Sequence, residues 1–394
     1  MTKRKKQPNK AGAGQARRRT QATQRVSPAP SGSDNIPDDL DPAHNALLVG
    51  IADRLDSGRP LEFLESVSKL ASAFAPEPHD PLEGAVDDEE LPTYEELVES
   101  FMDIRLRESS ALLTVVAATT TDEGQAARIR GELAERHHKL PAWLRTLAFE
   151  PYRTEQLLEA YGDGDDIMVG VRLPSGFEFT VIAYVEHNQG SLVKDAFVVP
   201  EAIGKVIELM RSKLTNQDQR FEALDPADAR TRTEDAIQLA MNTTPPFEGK
   251  TWPGCRPLVE WVLRDLPAGG RGYERPEWSE QDVEQLVTDF LASPFDAADE
   301  RALLKQILWV CATNGARDPL HWSPTSVELV MTRWLPANVD ADAPDLAKAP
   351  ALLRGFIRFA HERTGLRPGL TDETVAAVDR WESGYLEAIG TPGS

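Results

Sequence analysis

Two short polar segments near the middle of the chain hold side chains that are suited to proton transfer or metal binding. The first, GDGDD, contributes Asp163 and Asp165, and the second, EHNQG, contributes Glu186 and His187. A nearby carboxylate raises the pKa of a histidine toward neutrality, and carboxylates with imidazole nitrogens also bind metal ions. The candidate catalytic residues are therefore Asp165, Glu186 and His187. The candidate metal ligands are Asp163, Asp165 and His187.

The same two segments are also ordinary turn sequences. Asp-Gly and His-Asn-Gln-Gly are common in turns, and GDGDD lacks the remaining positions of a calcium-binding loop. Two further charged residues nearby, Lys194 and Asp195, are adjacent, so in a regular strand they point to opposite faces. Strict alternation would place the side chains of Lys194 and Ala196 on one face of the strand, and those of Asp195 and Val193 on the other face. Polar turns are the simpler interpretation, and a binding or catalytic site is the alternative.

The elements that would position these residues form the most β-rich part of the chain. Residues 165–199 are rich in β-branched and aromatic side chains, with turn sequences at Pro174-Ser175-Gly176 and at HNQG. This pattern predicts a three-stranded antiparallel β-meander near residues 165–199. If the second strand folds back on the first, Asp165 and His187 lie at the same end of the sheet.

Most of the remaining chain has apolar residues at helical spacing, often after Ser, Thr or Asp caps. The predicted fold class is therefore mainly α, of the α+β type, with several helices around the small meander. We predict four regions. They are a disordered basic tail at 1–43, a helical region at 44–150, an α+β region with the meander at 151–246, and a Trp-rich helical region at 247–394.

Charge is distributed unevenly along the chain. Residues 1–30 contain nine of the 43 Lys and Arg and no acid, which leaves 34 bases against 64 acids in the rest. A basic tail suits contacts with phosphates, whereas an acidic body would repel nucleic acid. The sequence predicts a nucleic-acid or ribosome tether formed by basic residues of the tail. These are Lys3, Arg4, Lys5, Lys6, Arg17, Arg18 and Arg19.

Several common chemistries lack their usual sequence signals. The sequence contains no P-loop, GxGxxG after a strand, GxSxG, HExxH or CxxC motif, so we expect no cofactor. Its two cysteines are too few for a disulfide framework, and no stretch is apolar enough to span a membrane.

Cys255 lies where a helix should begin, and the helix dipole there would lower a thiol pKa. In ERHHK, at 135–139, the basic residues are expected to complement the carboxyl end of their own helix.

Three segments carry a resemblance to other proteins. They are YGDGDDIMVGVRLPSGFEFTVIAYVEHNQGSLVKDAFVV, TWPGCRPLVEWVLRDLPAGGRGYERPEW and WSPTSVELVMTRWLP. Together they resemble a group of uncharacterised, largely helical actinobacterial proteins with no assigned activity. The resemblance implies a bacterial cytoplasmic protein and transfers no site residue.

These observations lead to two functional hypotheses, and a third, a toxin–antitoxin or phage-defence partner, fits the acidic body without support from particular residues. The first is a non-enzymatic cytoplasmic binding or scaffold protein, tethered to nucleic acid by its tail or bound to another protein. The alternative is a metal-dependent hydrolase that uses Asp163, Asp165 and His187.

Overall fold

The computed structural model describes residues 42–74, 93–214, 218–243, 251–295, 300–338 and 346–390. Residues 1–41 of the predicted tail, with all seven predicted tether residues, lie outside these ranges. The last two residues of the predicted tail belong to a helix, Pro42–Asp56, so the prediction of disorder there is wrong. In the described residues, one antiparallel sheet is surrounded by helices, so the predicted α+β class is confirmed.

The sheet has five strands in the order β4-β3-β2-β1-β5, and every neighbouring pair is antiparallel. The strands are β1 (Glu150–Glu159), β2 (Gly164–Arg172), β3 (Glu178–Glu186), β4 (Leu192–Val199) and β5 (Gln219–Ala223). Strands β2 to β4 form the predicted meander.

The prediction of only three strands is wrong, because β1 and β5 extend the sheet beyond β2. Strand β1, EPYRTEQLLE, has little of the β-branched and aromatic content that marked the meander. Strand β5 has only five residues, QRFEA, and pairs with β1 at the edge of the sheet. Both become strands because a neighbour offers its unpaired backbone groups, which is a tertiary effect.

Helices precede and follow the sheet. Before β1 lie α1 (Pro42–Asp56), α2 (Pro60–Ala73), α3 (Tyr94–Asp103), α4 (Arg107–Thr119), α5 (Glu123–Glu135) and α6 (Ala142–Arg145). Between and after the last strands lie α7 (Ile203–Lys213), α8 (Pro226–Met241), α9 (Trp252–Arg264), α10 (Glu280–Leu291) and α11 (Arg301–Thr313). The chain continues with α12 (Pro324–Leu329), a π-helical turn (Val330–Trp334), α13 (Leu335–Asn338), a 3-10 turn (Leu346–Lys348), α14 (Ala349–Thr364) and α15 (Pro368–Gly390).

Three apolar clusters hold these elements together. The largest packs one face of the sheet against helices α1 to α6, α8 and α9, and a small one packs the opposite face against α7. A separate cluster joins α10 to α15. The predicted boundaries between regions stay a prediction. The clusters show that α9 packs with the first group of helices and that the second group begins with α10.

None of the helices in the described ranges combines the length and apolarity needed to cross a membrane.

Candidate functional site

Backbone pairing between β2 and β3 brings the two polar segments together. Gly164 faces Glu186 in the antiparallel register, and the His187 N–H donates to the Asp163 carbonyl at 2.8 Å. A side chain at Gly164 would meet the Val185 carbonyl oxygen at 2.6 Å, so the close approach of the strands requires glycine there. The prediction that Asp165 and His187 share one end of the sheet is confirmed.

Both ring nitrogens of His187 contact polar side chains. Its Nε2 lies 3.2 Å from Asp165 Oδ2, and its Nδ1 lies 3.0 Å from Ser191 Oγ. The ring also packs edge-on against Tyr273, with 4.6 Å between centroids. Because both nitrogens are engaged, a substrate would have to displace one of these contacts to exchange a proton with His187.

Asp163 belongs to a different cluster from Asp165. Its Oδ1 accepts from Asn188 Nδ2 at 2.7 Å and lies 3.1 Å from His321 Nε2. Burial raises the pKa of Asp163, but hydrogen bonds from His321, Ser323 and Asn188 outweigh it and leave the pKa below its ordinary value. Since His321 lies between α11 and α12, these contacts join the sheet to the second group of helices.

Glu186 is buried, and its carboxylate contacts Asn188, Tyr184 and Lys194. Its Oε1 accepts from the Asn188 backbone N–H at 3.2 Å and from Asn188 Nδ2 at 3.1 Å. Its Oε2 lies 3.3 Å from Lys194 Nζ and accepts from the Tyr184 hydroxyl at 3.3 Å. The predicted catalytic residues are therefore close in space but form two clusters, with Asn188 joining Glu186 to Asp163.

The predicted alternation in β4 is wrong at Lys194 and Asp195. A β-bulge shifts the register opposite Tyr184 and Val185, so Val193 and Ala196 both enter the same apolar core. The extra residue of a bulge interrupts the two-residue period of the side chains. Lys194 consequently contacts Glu186, while Asp195 accepts from the Thr251 hydroxyl at 2.7 Å.

Three residues of this site were not among the sequence candidates: Glu159, Asn188 and His321. Burial and the nearby Asp163 carboxylate raise the pKa of Glu159 to about 7. Burial and Asp165 likewise raise the pKa of Asp166 to about 6. The acidic end of the sheet therefore binds protons near neutral pH.

Asn188 lies within the HNQG turn, but its sequence position gives no sign that its amide bridges two carboxylates.

The predicted metal ligands divide between the two clusters. Asp165 contacts His187, whereas Asp163 contacts Asn188 and His321. Within the ranges that the structure describes, no three His, Cys, Asp or Glu side chains are grouped so that they could hold a metal ion.

Cys255 was expected to have a lowered thiol pKa at the start of a helix, and this expectation is wrong. The thiol is buried in α9 and donates to the Ala196 carbonyl, with Sγ 3.0 Å from the oxygen. Burial, with a smaller effect from Asp195, raises the pKa of Cys255 to about 12. Desolvation therefore dominates over the helix dipole.

Glu159→Gln should make the protein more stable than the wild type above pH 7 and leave stability unchanged near pH 4.5. A carboxyl whose pKa is raised to about 7 in the fold costs stability as pH rises from its ordinary 4.5 through 7. The carboxyl is partly exposed and screened, so we expect a gain of only about 1 kcal/mol. Urea unfolding at pH 4.5, 6 and 8 measures it, with Glu208→Gln on the exposed face of α7 as the control. The same difference at all three pH values would contradict it.

Comparison of the chain with protein-family models, curated proteins and solved structures finds no match.

Proposed function

We propose that this is a non-enzymatic cytoplasmic binding or scaffold protein of bacterial type, tethered to nucleic acid by its basic tail. The observation that supports the non-enzymatic part is the hydrogen bonding of the candidate catalytic groups. His187 is engaged at both nitrogens, Asp163 accepts from Asn188 and His321, and Glu186 accepts from Asn188 and Tyr184.

This arrangement suits a structural role better than proton transfer. A general base needs an open hydrogen-bonding position toward the substrate, at about 2.6–3.2 Å. Here most of the polar side-chain atoms hydrogen-bond to one another where the sheet meets the second group of helices, and Asn188 Oδ1 is the exception among them. Such a network fixes the relative position of the two packed groups, as a scaffold requires.

The proposed tether rests on the charge contrast between the tail and the remaining chain. Residues 1–30 of the tail carry nine Lys and Arg and no acid, while the rest of the chain has 64 acids against 34 bases. Phosphate contacts by such a tail would be independent of sequence and would weaken steeply with salt. Nucleic acid or the ribosome is therefore the proposed partner of the tail, and the acidic body is left for a protein partner.

Deleting residues 1–40 should abolish retardation of DNA and RNA in gels at low salt. The full chain should bind both with similar affinity, and raising salt from about 50 to 200 mM should weaken binding by roughly a thousandfold or more. A full-length chain with its seven tether residues changed to Gln is the matched control, because it keeps the length of the tail. Equal retardation by the full and shortened chains, or none by either, rejects the tether.

A metal-dependent hydrolase is the second candidate, supported by the contact of Asp165 with His187 and by the pKa of Glu159 near 7. A carboxyl that titrates near the working pH suits general acid–base catalysis. Elemental analysis of protein purified without an affinity tag distinguishes the candidates. A stoichiometric metal that Asp165→Asn removes would favour the hydrolase, and a metal-free protein would reject it.

A further inference from the structure

The turn between β3 and β4 places a serine hydroxyl next to the imidazole of His187. Ser191 Oγ lies 3.0 Å from Nδ1 of the ring, and Asp165 Oδ2 lies 3.2 Å from Nε2 on its other side. Because a carboxylate only accepts hydrogen bonds, Nε2 carries the proton that faces Asp165, and Nδ1 accepts from the serine hydroxyl. A hydroxyl, an imidazole and a carboxylate in this order are the groups that activate a serine for nucleophilic attack.

The two ring nitrogens have the opposite roles to those in serine proteases, where Nε2 faces the serine. Each group nevertheless has the same neighbour. His187 can take the proton of the Ser191 hydroxyl, and Asp165 can stabilise the imidazolium that results. Such a triad is recognised by the roles of its members and by their geometry, so the exchange of nitrogens leaves the chemistry intact.

The backbone at Ser191 supplies an independent observation. Its φ is 65°, and within the described ranges only one other residue besides glycine has a positive φ. Such strain is concentrated at functional sites. The Ser191 backbone N–H also makes no hydrogen bond with any described residue. A backbone N–H at the nucleophile is a suitable donor for the oxyanion that forms when a serine attacks a carbonyl group.

The serine and the imidazole are both accessible to a small reagent. Ser191 is partly exposed, and the His187 side chain is 15% exposed. An external group would have to displace a contact of His187 in order to exchange a proton with it. The Ser191 hydroxyl already occupies one of these positions, so it is the group that His187 can activate without any rearrangement.

The charge at this end of the sheet indicates which class of reagent can react. Four carboxylates lie close together there, and they are Glu159, Asp163, Asp165 and Glu186. Such a concentration of acids repels phosphate groups and other anions. An uncharged carboxylic ester is not repelled, and its carbonyl carbon is the centre that an activated serine attacks.

We propose that Ser191 is a covalent acylation site for uncharged esters. As Oγ bonds to the ester carbonyl carbon, the hydroxyl proton passes to His187 Nδ1, and Asp165 stabilises the imidazolium through the Nε2–H group. The bond from the carbonyl carbon to the leaving oxygen then breaks, and that oxygen takes the proton from Nδ1. The products are an acyl ester on Ser191 and a free alcohol. The proposal goes beyond the scaffold function and does not rest on it, because one acyl transfer modifies the protein without turnover.

Incubation of the full chain with p-nitrophenyl acetate tests the proposal. We expect stoichiometric release of p-nitrophenol and an acetyl group on the peptide that contains Ser191, found by mass spectrometry. Ser191→Gly removes the hydroxyl, and glycine accepts the φ of 65°, so this variant should fold and lose the acetyl group. Ser175→Gly is the matched control, because Ser175 is an exposed serine in the turn between β2 and β3, and its acetylation at Ser191 should be unchanged. Urea unfolding of each variant is measured first.

Variants of the other two groups test their roles. His187→Ala should slow acetylation of Ser191 by at least about a hundredfold, and added imidazole should restore part of the rate. Asp165 acts through His187 as a positioning residue, so Asp165→Asn should slow acetylation by at least about tenfold, and Asp165→Glu should recover part of it. Restoration by imidazole or by a second carboxylate would not follow from damage to the fold alone.

Two results would overturn the proposal. The first is the absence of an acetyl group on the Ser191 peptide of the wild type while lysines are acetylated, which would be ordinary surface chemistry. The second is the same rate of acetylation at Ser191 in the wild type and in His187→Ala. Continued release of p-nitrophenol that Ser191→Gly abolishes would instead support the acylation site and reject the non-enzymatic function. The two proposals can therefore fail separately.

Discussion

Replacing Asp163 by alanine is expected to lower the free energy of unfolding by about 3 kcal/mol at pH 7. The substitution removes the Asp163 acceptor from half-buried His321 and from buried Asn188, whose Nδ2 keeps only Glu186 as an acceptor. Unpaired buried donors retain their desolvation penalty, and this penalty is larger than the net value of the hydrogen bonds themselves. The expected loss is therefore greater than the ordinary effect of a polar-to-alanine substitution. Urea unfolding at constant m value measures it.

Two further variants separate the charge of Asp163 from its hydrogen bonding. Asp163→Asn keeps an acceptor oxygen and should cost only about 1 kcal/mol, because it also reduces the repulsion of Glu159. Asp53→Ala, on the exposed side of α1, should change stability by no more than about 0.5 kcal/mol. If Asp163→Ala and Asp53→Ala had the same effect, the proposed role of Asp163 in joining the two helical groups would be wrong.

The effect of Asp163 should also depend on pH in a defined direction. Its pKa is lower in the folded protein than in the unfolded chain, so its stabilisation is fully present above about pH 4. The stabilisation is lost as the pH falls through the lowered folded-state value. The difference between the wild type and Asp163→Asn should therefore shrink in acid.

The sequence predicted those parts of the fold in which local pattern and tertiary environment agree. Strands β2 to β4 combine β-branched residues with recognisable turns, so the meander and the meeting of Asp165 with His187 could be predicted. Strands β1 and β5 are polar, and they form because β1 pairs with the backbone of β2 and β5 pairs with the backbone of β1. The bulge at Lys194 could not be read from alternation, because one additional residue reverses the faces beyond it.

Which residues meet at the site depends on contacts between distant parts of the chain, and these contacts could not be predicted from the sequence. His321 approaches Asp163 across 158 residues of sequence, after the second group of helices has packed against the sheet. Asn188 lay in a segment that fits an ordinary turn, and a turn is indeed what its backbone forms. Its side chain acquires a second role because the β2–β3 register places two carboxylates on the same side of it.

ERHHK shows a related difference between local pattern and packing. Its basic residues were expected to complement the end of their own helix, α5. Instead, the Arg136 guanidinium donates to Phe101, Met102 and Ile104 carbonyls at the carboxyl end of α3. It also contacts Glu132 at 3.0 Å. A basic side chain therefore does bind the carboxyl end of a helix, as expected. The helix is α3, which packs nearby, and not α5, which Arg136 follows in the sequence.

Arg136→Met should consequently lower the free energy of unfolding by about 3–4 kcal/mol, although Met keeps most of the apolar part of the Arg side chain. The Arg136 side chain is only 2% exposed, and its loss would take a donor from the carbonyls at the end of α3. Of these, the Ile104 carbonyl would keep the Ser109 hydroxyl as a donor. Arg136→Lys should recover only part of the loss, because an ammonium group cannot reproduce the planar fork of donors.

Arg128→Met is the matched control on the same helix. Its pair with Glu99 at 2.6 Å is exposed to solvent and screened, so its loss should change stability little. Urea unfolding of the three variants decides the question, since similar losses for Arg136→Met and Arg128→Met would show that the buried guanidinium does not stabilise the end of α3.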